Sequence, residues 1–172
     1  MGLDRRFFIQ QLEAQYRERL AVACRAEEDA REAARTIATE AEKKEDGRVA
    51  LEFGSLATGQ AGRAQALREE LETLERFARR DLPRFGPRAP IDLGAIVDLA
   101  TETDDGEPEE RTFILLPVGA GTELTGPGGD GFISVITPAS PIGRGLLGKK
   151  AGEGVDVSIH GEWRSWEIVD VG

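Results

Sequence analysis

The chain has 172 residues, 22 of them Lys or Arg and 32 Asp or Glu, for a formal charge of −10; at 40% hydrophobic it can build a core and is not globally disordered. Residues 1–90 hold 17 basic and 17 acidic side chains, whereas residues 91–172 hold 5 and 15. One half therefore carries the whole imbalance, which points to two units with different partners and makes the acidic half a poor grip for a phosphate backbone.

From Asp4 to about Glu45 there is neither proline nor glycine, and Ala, Glu, Arg, Gln and Leu dominate. Apolar or small residues recur at Phe8, Leu12, Tyr16, Ala23, Ala26, Ala30, Ala33, Ile37 and Ala41, mostly three or four apart, as on one helical face. After Asp46-Gly47 a second stripe runs Ala50, Phe53, Ala57, Gln60, Ala64, Leu67, Leu71, Leu74 and Ala78, ending before Pro83. The two stripes predict an antiparallel coiled-coil hairpin over 1–82 with its acidic tip near 42–47, each arm roughly 50–60 Å long at about 1.5 Å per residue. Pro83, Pro87 and Pro90 mark a linker over 83–90. Gly54, Gly59 and Gly62 weaken the second helix unless they let the arms approach closely, and close approach is the expectation.

Beyond Pro90 the apolar period becomes two, and residues 91–172 read as a sheet domain. Short β-rich runs lie at 96–99, 111–116, 132–136 and 155–159, and His160-Gly161 turns into a last strand from Trp163 to Val171. Ser140 as N-cap, Pro141 at the first helical position and Gly148 as stop predict one short helix. The fold class is α+β, with a mainly antiparallel sheet of five or six strands. Trp163 and Trp166, three apart in a strand, face opposite ways, one to the core and one to solvent.

Cys24 stands alone, which excludes an internal disulfide and a Cys-based zinc site; on its alanine-rich helix it reads as buried and inert. The opening MGLDRRFFIQQLEAQ holds no apolar stretch of signal-peptide length and no 18-residue apolar run follows, so the expectation is a cytoplasmic protein without a membrane partner. Two glycine patterns fail as nucleotide sites. Gly143–Lys149 fits G-x-x-x-x-G-K, but Lys150 stands where a P-loop needs Ser or Thr, and Gly126-x-Gly128-x-x-Gly131 is followed by a strand. His160 has no Cys or second His to work with, and no Ser/His/Asp set assembles, so the chain is not expected to be an enzyme in its own right. At the tip, Glu42 and Glu45 are three apart and share a helical face, so together they can meet one hard cation; the plainer reading is a solvated charged turn.

The run Phe132-Ile133-Ser134-Val135, followed by Ser140-Pro141-Ile142-Gly143-Arg144-Gly145-Leu146-Leu147-Gly148-Lys149-Lys150, resembles the C-terminal signature of the bacterial GreA/GreB transcription elongation factors. Gly152-Glu153 and Trp166-Glu167-Ile168 fit it too. The resemblance implies an FKBP-like C-terminal domain that docks on the rim of the secondary channel of RNA polymerase, a coiled coil of the large subunit, with Ser140, Pro141 and Ile142 at the contact. It also implies a hairpin that enters the channel, where an acidic tip helps hold a second Mg²⁺ for hydrolysis of backtracked RNA. The family's tip, D-x-x-E-N, overlays Glu42-Lys43-Lys44-Glu45-Asp46, so Glu42 and Glu45 take the carboxylate roles as shared Mg²⁺ ligands and Asp46 stands in place of the Asn. Where family members carry Asp or Asn before the Ser-Pro, this chain has Ala139.

The reading that follows is a monomeric elongation factor that stimulates transcript cleavage by the polymerase in trans, through Glu42, Glu45 and Asp46, and meets RNA only through that enzyme. The alternatives are a secondary-channel regulator or inhibitor without cleavage-stimulating activity, and a structural adaptor whose hairpin binds other proteins.

Overall fold

The computed structural model describes residues 4–44, 47–86 and 88–172, with the side chains of 41–44 and 47 outside that description. Chain order is α1 (Arg5–Lys44), α2 (Gly47–Ala78), β1 (Ile96–Glu102), β2 (Pro108–Leu115), β3 (Glu123–Thr125), β4 (Phe132–Ile136), α3 (Pro141–Leu146), β5 (Gly154–Ile159) and β6 (Glu162–Val171). The chain divides into two compact units, one of Glu13–Glu72 and one of Thr73–Gly172 together with the chain up to Leu12.

In the helical unit the predicted stripes are the inward faces. Tyr16, Ala23, Ala30 and Ala64 are buried, and Phe53, Ala57, Leu67 and Leu71 are half-buried. The arms run antiparallel, since Arg6 at the start of α1 donates to Ala78 O at the end of α2 at 3.3 Å, while Arg68 of α2 reaches Glu27 of α1 at 3.7 Å and donates to Cys24 Sγ at 3.2 Å. Cys24 is thus half-buried rather than buried, because it sits at the edge of the stripe, where an arginine from the facing helix covers it. The expectation of close approach at the glycines is corrected. A Cβ built at Gly54, Gly59 or Gly62 meets no heavy atom within 4 Å, so the arms do not need glycine there and its helical cost stands uncompensated.

The other unit is a six-stranded sheet in the order β3-β4-β2-β1-β6-β5. All neighbours pair antiparallel except β2 and β4, which run parallel over Phe113–Leu115 and Ser134–Ile136. Alternation sorts the strands into two apolar faces. Val97, Leu99, Phe113, Leu115, Ile136, Val155, Val157, Trp166 and Ile168 form the main core with Leu146 of α3. Residues between them in sequence, such as Ile96, Ile114, Val135, Leu124 and Ile133, are buried on the opposite face. That side meets the foot of α1: Gly119 lies against the Leu12 side chain, and Gln11 holds Thr125 with both ends of its amide, accepting from Thr125 N at 2.8 Å and donating to Thr125 O at 3.2 Å. A side-chain amide thereby satisfies the edge of the short strand β3 as a neighbouring strand would. Arg5 ties the same foot to the linker, donating to Pro83 O at 2.5 Å with its guanidinium over the Phe85 ring. As expected, the two tryptophans divide, Trp166 at 3% exposure and Trp163 at 75%.

Candidate functional site

The segment Thr137-Pro138-Ala139-Ser140 leaves β4 and starts α3, and Ser140 organises it. Its hydroxyl donates to Thr137 O at 2.8 Å and accepts from Gly143 N at 3.1 Å, the N-cap bond read from the Ser-Pro pair. Gly143 is required by space, since a Cβ there would fall 1.9 Å from Thr137 O; one at Gly145 would fall 2.8 Å from Val157 Cγ1, so α3 lies flush on β5. This packing leaves Pro141 exposed and Ile142 half-buried at the helix start.

Beside that helix start the sheet carries a cleft. It has a volume of about 630 Å³ and lies against the face of the paired strands β3, β4 and β2, bordered by Arg111, Phe113, Glu123, Phe132, Ser134 and Ile136, by Ile159 and His160 at the end of β5, and by Ser140, Pro141 and Ile142 at the start of α3. Phe132 stands 71% exposed at its mouth.

The charges around it are unequally matched. Arg111 pairs with Glu109 at 2.8 Å, and Arg164 bridges Glu109 at 2.9 Å and Glu162 at 2.6 Å. Glu110 and Glu123 border the cleft with no ion-pair partner among the described residues, which leaves the rim acidic.

Of the residues singled out from sequence, Ser140, Pro141 and Ile142 come together on this cleft, with the Ser140 hydroxyl turned to internal bonds, Pro141 exposed and Ile142 half-buried against the core. Glu42 falls in the last turn of α1, and Glu45 and Asp46 lie outside the described residues. Among the described residues no three His, Cys, Asp or Glu side chains converge as a metal cage, and no helix is long and apolar enough to cross a membrane. The P-loop-like pattern dissolves, because Gly143 lies inside α3 rather than ahead of it. His160 occupies a tight turn at φ 53°, next to Gly161 at φ 86°, and borders the cleft. Sequence reading missed β3, the parallel β2–β4 pair and hence the cleft, since a three-residue strand and a long-range parallel pairing leave no local period. The exposed Phe132 was legible only as one more strand residue.

The profile of the transcription elongation factor GreA/GreB C-terminal domain matches residues 87–172. No curated protein sequence matches the chain. Among solved structures the chain is similar to GreA factor homolog 1 (Gfh1) of Thermus thermophilus, at 20% identity and a TM-score of 0.39, over 95% of this chain and 92% of that one. It is also similar to Gfh1 of Thermus aquaticus, at 19% identity and a TM-score of 0.33, over 95% and 90%.

Proposed function

Since the chain belongs to the GreA/GreB family of transcription elongation factors, we propose that it binds RNA polymerase through the secondary channel and stimulates cleavage of RNA in backtracked complexes. The single observation that carries this reading is the family's C-terminal domain over residues 87–172, folded so that its Ser-Pro motif caps α3 and places Pro141 and Ile142 on the border of a cleft. Such a border suits docking on the channel rim of the large subunit, with Pro141 and Ile142 as the contact and Ser140 holding them in place.

The helical hairpin ahead of this domain carries Glu42 in the last turn of α1, with Glu45 and Asp46 following. Paired carboxylates are hard oxygen donors of the kind Mg²⁺ prefers, and Mg²⁺ keeps most of its shell for water and substrate, so Glu42 and Glu45 fit as auxiliary ligands. Mg²⁺ bound there supplies Lewis-acid stabilisation to a phosphodiester hydrolysis performed by the polymerase. In this reading the chain is no enzyme: it lends two carboxylates, and Asp46 adds local negative charge. The free protein works as a monomer in the cytoplasm.

Glu42 standing where the family carries Asp, and Asp46 where it carries Asn, favour one second reading, a channel regulator that occupies the site without promoting cleavage. Adding the purified chain to stalled, backtracked complexes with end-labelled RNA separates the two. Shortened RNA, lost in the Glu42→Ala/Glu45→Ala variant, is the expected result; slower synthesis without shortening selects the regulator, and failure to bind polymerase removes both.

A further inference from the structure

Residues 54–62 of α2 read Gly-Ser-Leu-Ala-Thr-Gly-Gln-Ala-Gly, so three glycines, a serine and a threonine fall within nine helical positions. Each glycine lowers the local helix equilibrium by a factor of about four or five against alanine. Thr58 also turns its hydroxyl back to Gly54 O at 3.0 Å, a bond that loosens the turn it spans. On α1, Thr36 does the same to Glu32 O at 3.1 Å and Thr39 to Arg35 O at 3.0 Å. Weak propensity is ordinarily outweighed by packing, and here packing falls away as well. Tyr16, Ala23, Ala30 and Ala64 are buried, but between Ala30 and Ala64 no described side chain is. Ile37, Phe53 and Ala57 are only half-buried, and Leu51 and Leu56 stand 77% and 51% exposed. Among the described residues, no ion pair or hydrogen bond joins the arms beyond Glu27 and Arg68 toward the turn.

We propose that residues 54–62 are a built-in hinge: beyond it the two arms open as one local unit, while the root of the hairpin stays closed. The boundary falls at Ala30 and Ala64, the last buried residues on each arm before the turn. Opening on this scale exposes the half-buried seam of Ile37, Phe53 and Ala57 and lets the distal arms change course without unfolding the root. Alanine would fit at all three glycines, since a Cβ there meets nothing within 4 Å, so the weakness is a property of the sequence and not a by-product of close packing. A partner that grips the distal arms in one conformation has to order them, so the hinge couples arm stiffness to binding. The inference rests on the two helices alone and not on the polymerase reading.

The test is native-state hydrogen exchange on the full, isotope-labelled chain, read residue by residue in rising denaturant. Amides of residues 32–40 and 50–62 are expected to open together and with little dependence on denaturant. They should exchange about a hundredfold or more faster than those of 16–30 and 64–71, the change falling as a step between Gly62 and Ala64. The Gly54→Ala/Gly59→Ala/Gly62→Ala variant meets no steric obstacle and should slow distal exchange by roughly fifty- to a hundredfold. Ala64→Gly, on the closed side, should speed exchange in 16–30 and 64–71 by about fivefold or more and leave the distal amides unchanged. A smooth gradient from turn to sheet, distal exchange unmoved in the triple variant, or Ala64→Gly speeding both halves alike overturns the proposal.

Discussion

Ser140 shows how one side chain positions a surface it does not itself present. Its hydroxyl closes the turn to Thr137 and caps α3, so Ser140→Ala is expected to lower stability by about 1–2 kcal/mol in denaturant unfolding, the usual cost of a lost N-cap. Gly143→Ala meets backbone instead of a movable side chain and is expected to cost about 2–3 kcal/mol, toward the upper end for overpacking. Trp166 is buried with its indole N–H unpartnered among the described residues. Trp166→Ala should therefore cost about 3–5 kcal/mol, while Trp166→Phe costs about 1 kcal/mol or less, because it removes an unsatisfied donor along with part of the ring. Tyr16, the single tyrosine, has its hydroxyl pushed up to about 12, first by burial and then by its hydrogen bond to Glu70. Folding thus favours the protonated phenol. The stability this contributes is full below the unfolded value near 10 and is lost as pH rises toward 12. An ultraviolet titration should show phenolate absorbance near pH 12 in the folded chain and near pH 10 in denaturant; a folded-state midpoint near 10 contradicts this placement.

At the scale of elements, the hairpin was the most legible part, because a three-and-four spacing sustained from Phe8 to Ala30 and from Phe53 to Leu74 admits one inward face. The seam is narrow where Ala64 is fully buried, so Ala64→Leu is expected to lower the melting temperature, at a cost of about 1–3 kcal/mol, although leucine is a good helix former. The helix at Ser140-Pro141 and the turn at His160-Gly161 were equally readable, since each rests on backbone chemistry local to a few residues. The turn has positive φ at both central positions, where Asn-Gly is favoured, so His160→Asn should be neutral or stabilising by about 0.5 kcal/mol, whereas His160→Val should destabilise. The β2–β4 pairing was not readable, because it joins Phe113 to Ser134 across the intervening strand β3 and is set by tertiary packing. The role of the helix glycines was misjudged for a related reason: composition cannot say whether a neighbour stands within 4 Å of Gly59. The tip carboxylates Glu42, Glu45 and Asp46 remain a reading of sequence pattern alone.

Across the whole molecule, the one-sided charge matches the division of labour. The balanced half forms the helical arms, where Glu27 pairs with both Arg31 and Arg68. The acidic half carries the sheet and the cleft, with an excess of carboxylates unsuited to nucleic acid and suited to protein. In the proposed reading, docking of that half on RNA polymerase is the step on which every other role depends, and it is measured most directly as the affinity of the full chain for purified core enzyme, beside that of Pro141→Glu. Pro141 is exposed at the first turn of α3, where glutamate is well tolerated, so the variant should keep its fold. The account predicts saturable binding by the parent chain and a loss of roughly tenfold or more in Pro141→Glu, equivalent to about 1.4 kcal/mol. No binding by the parent chain, or equal binding by both, would contradict it.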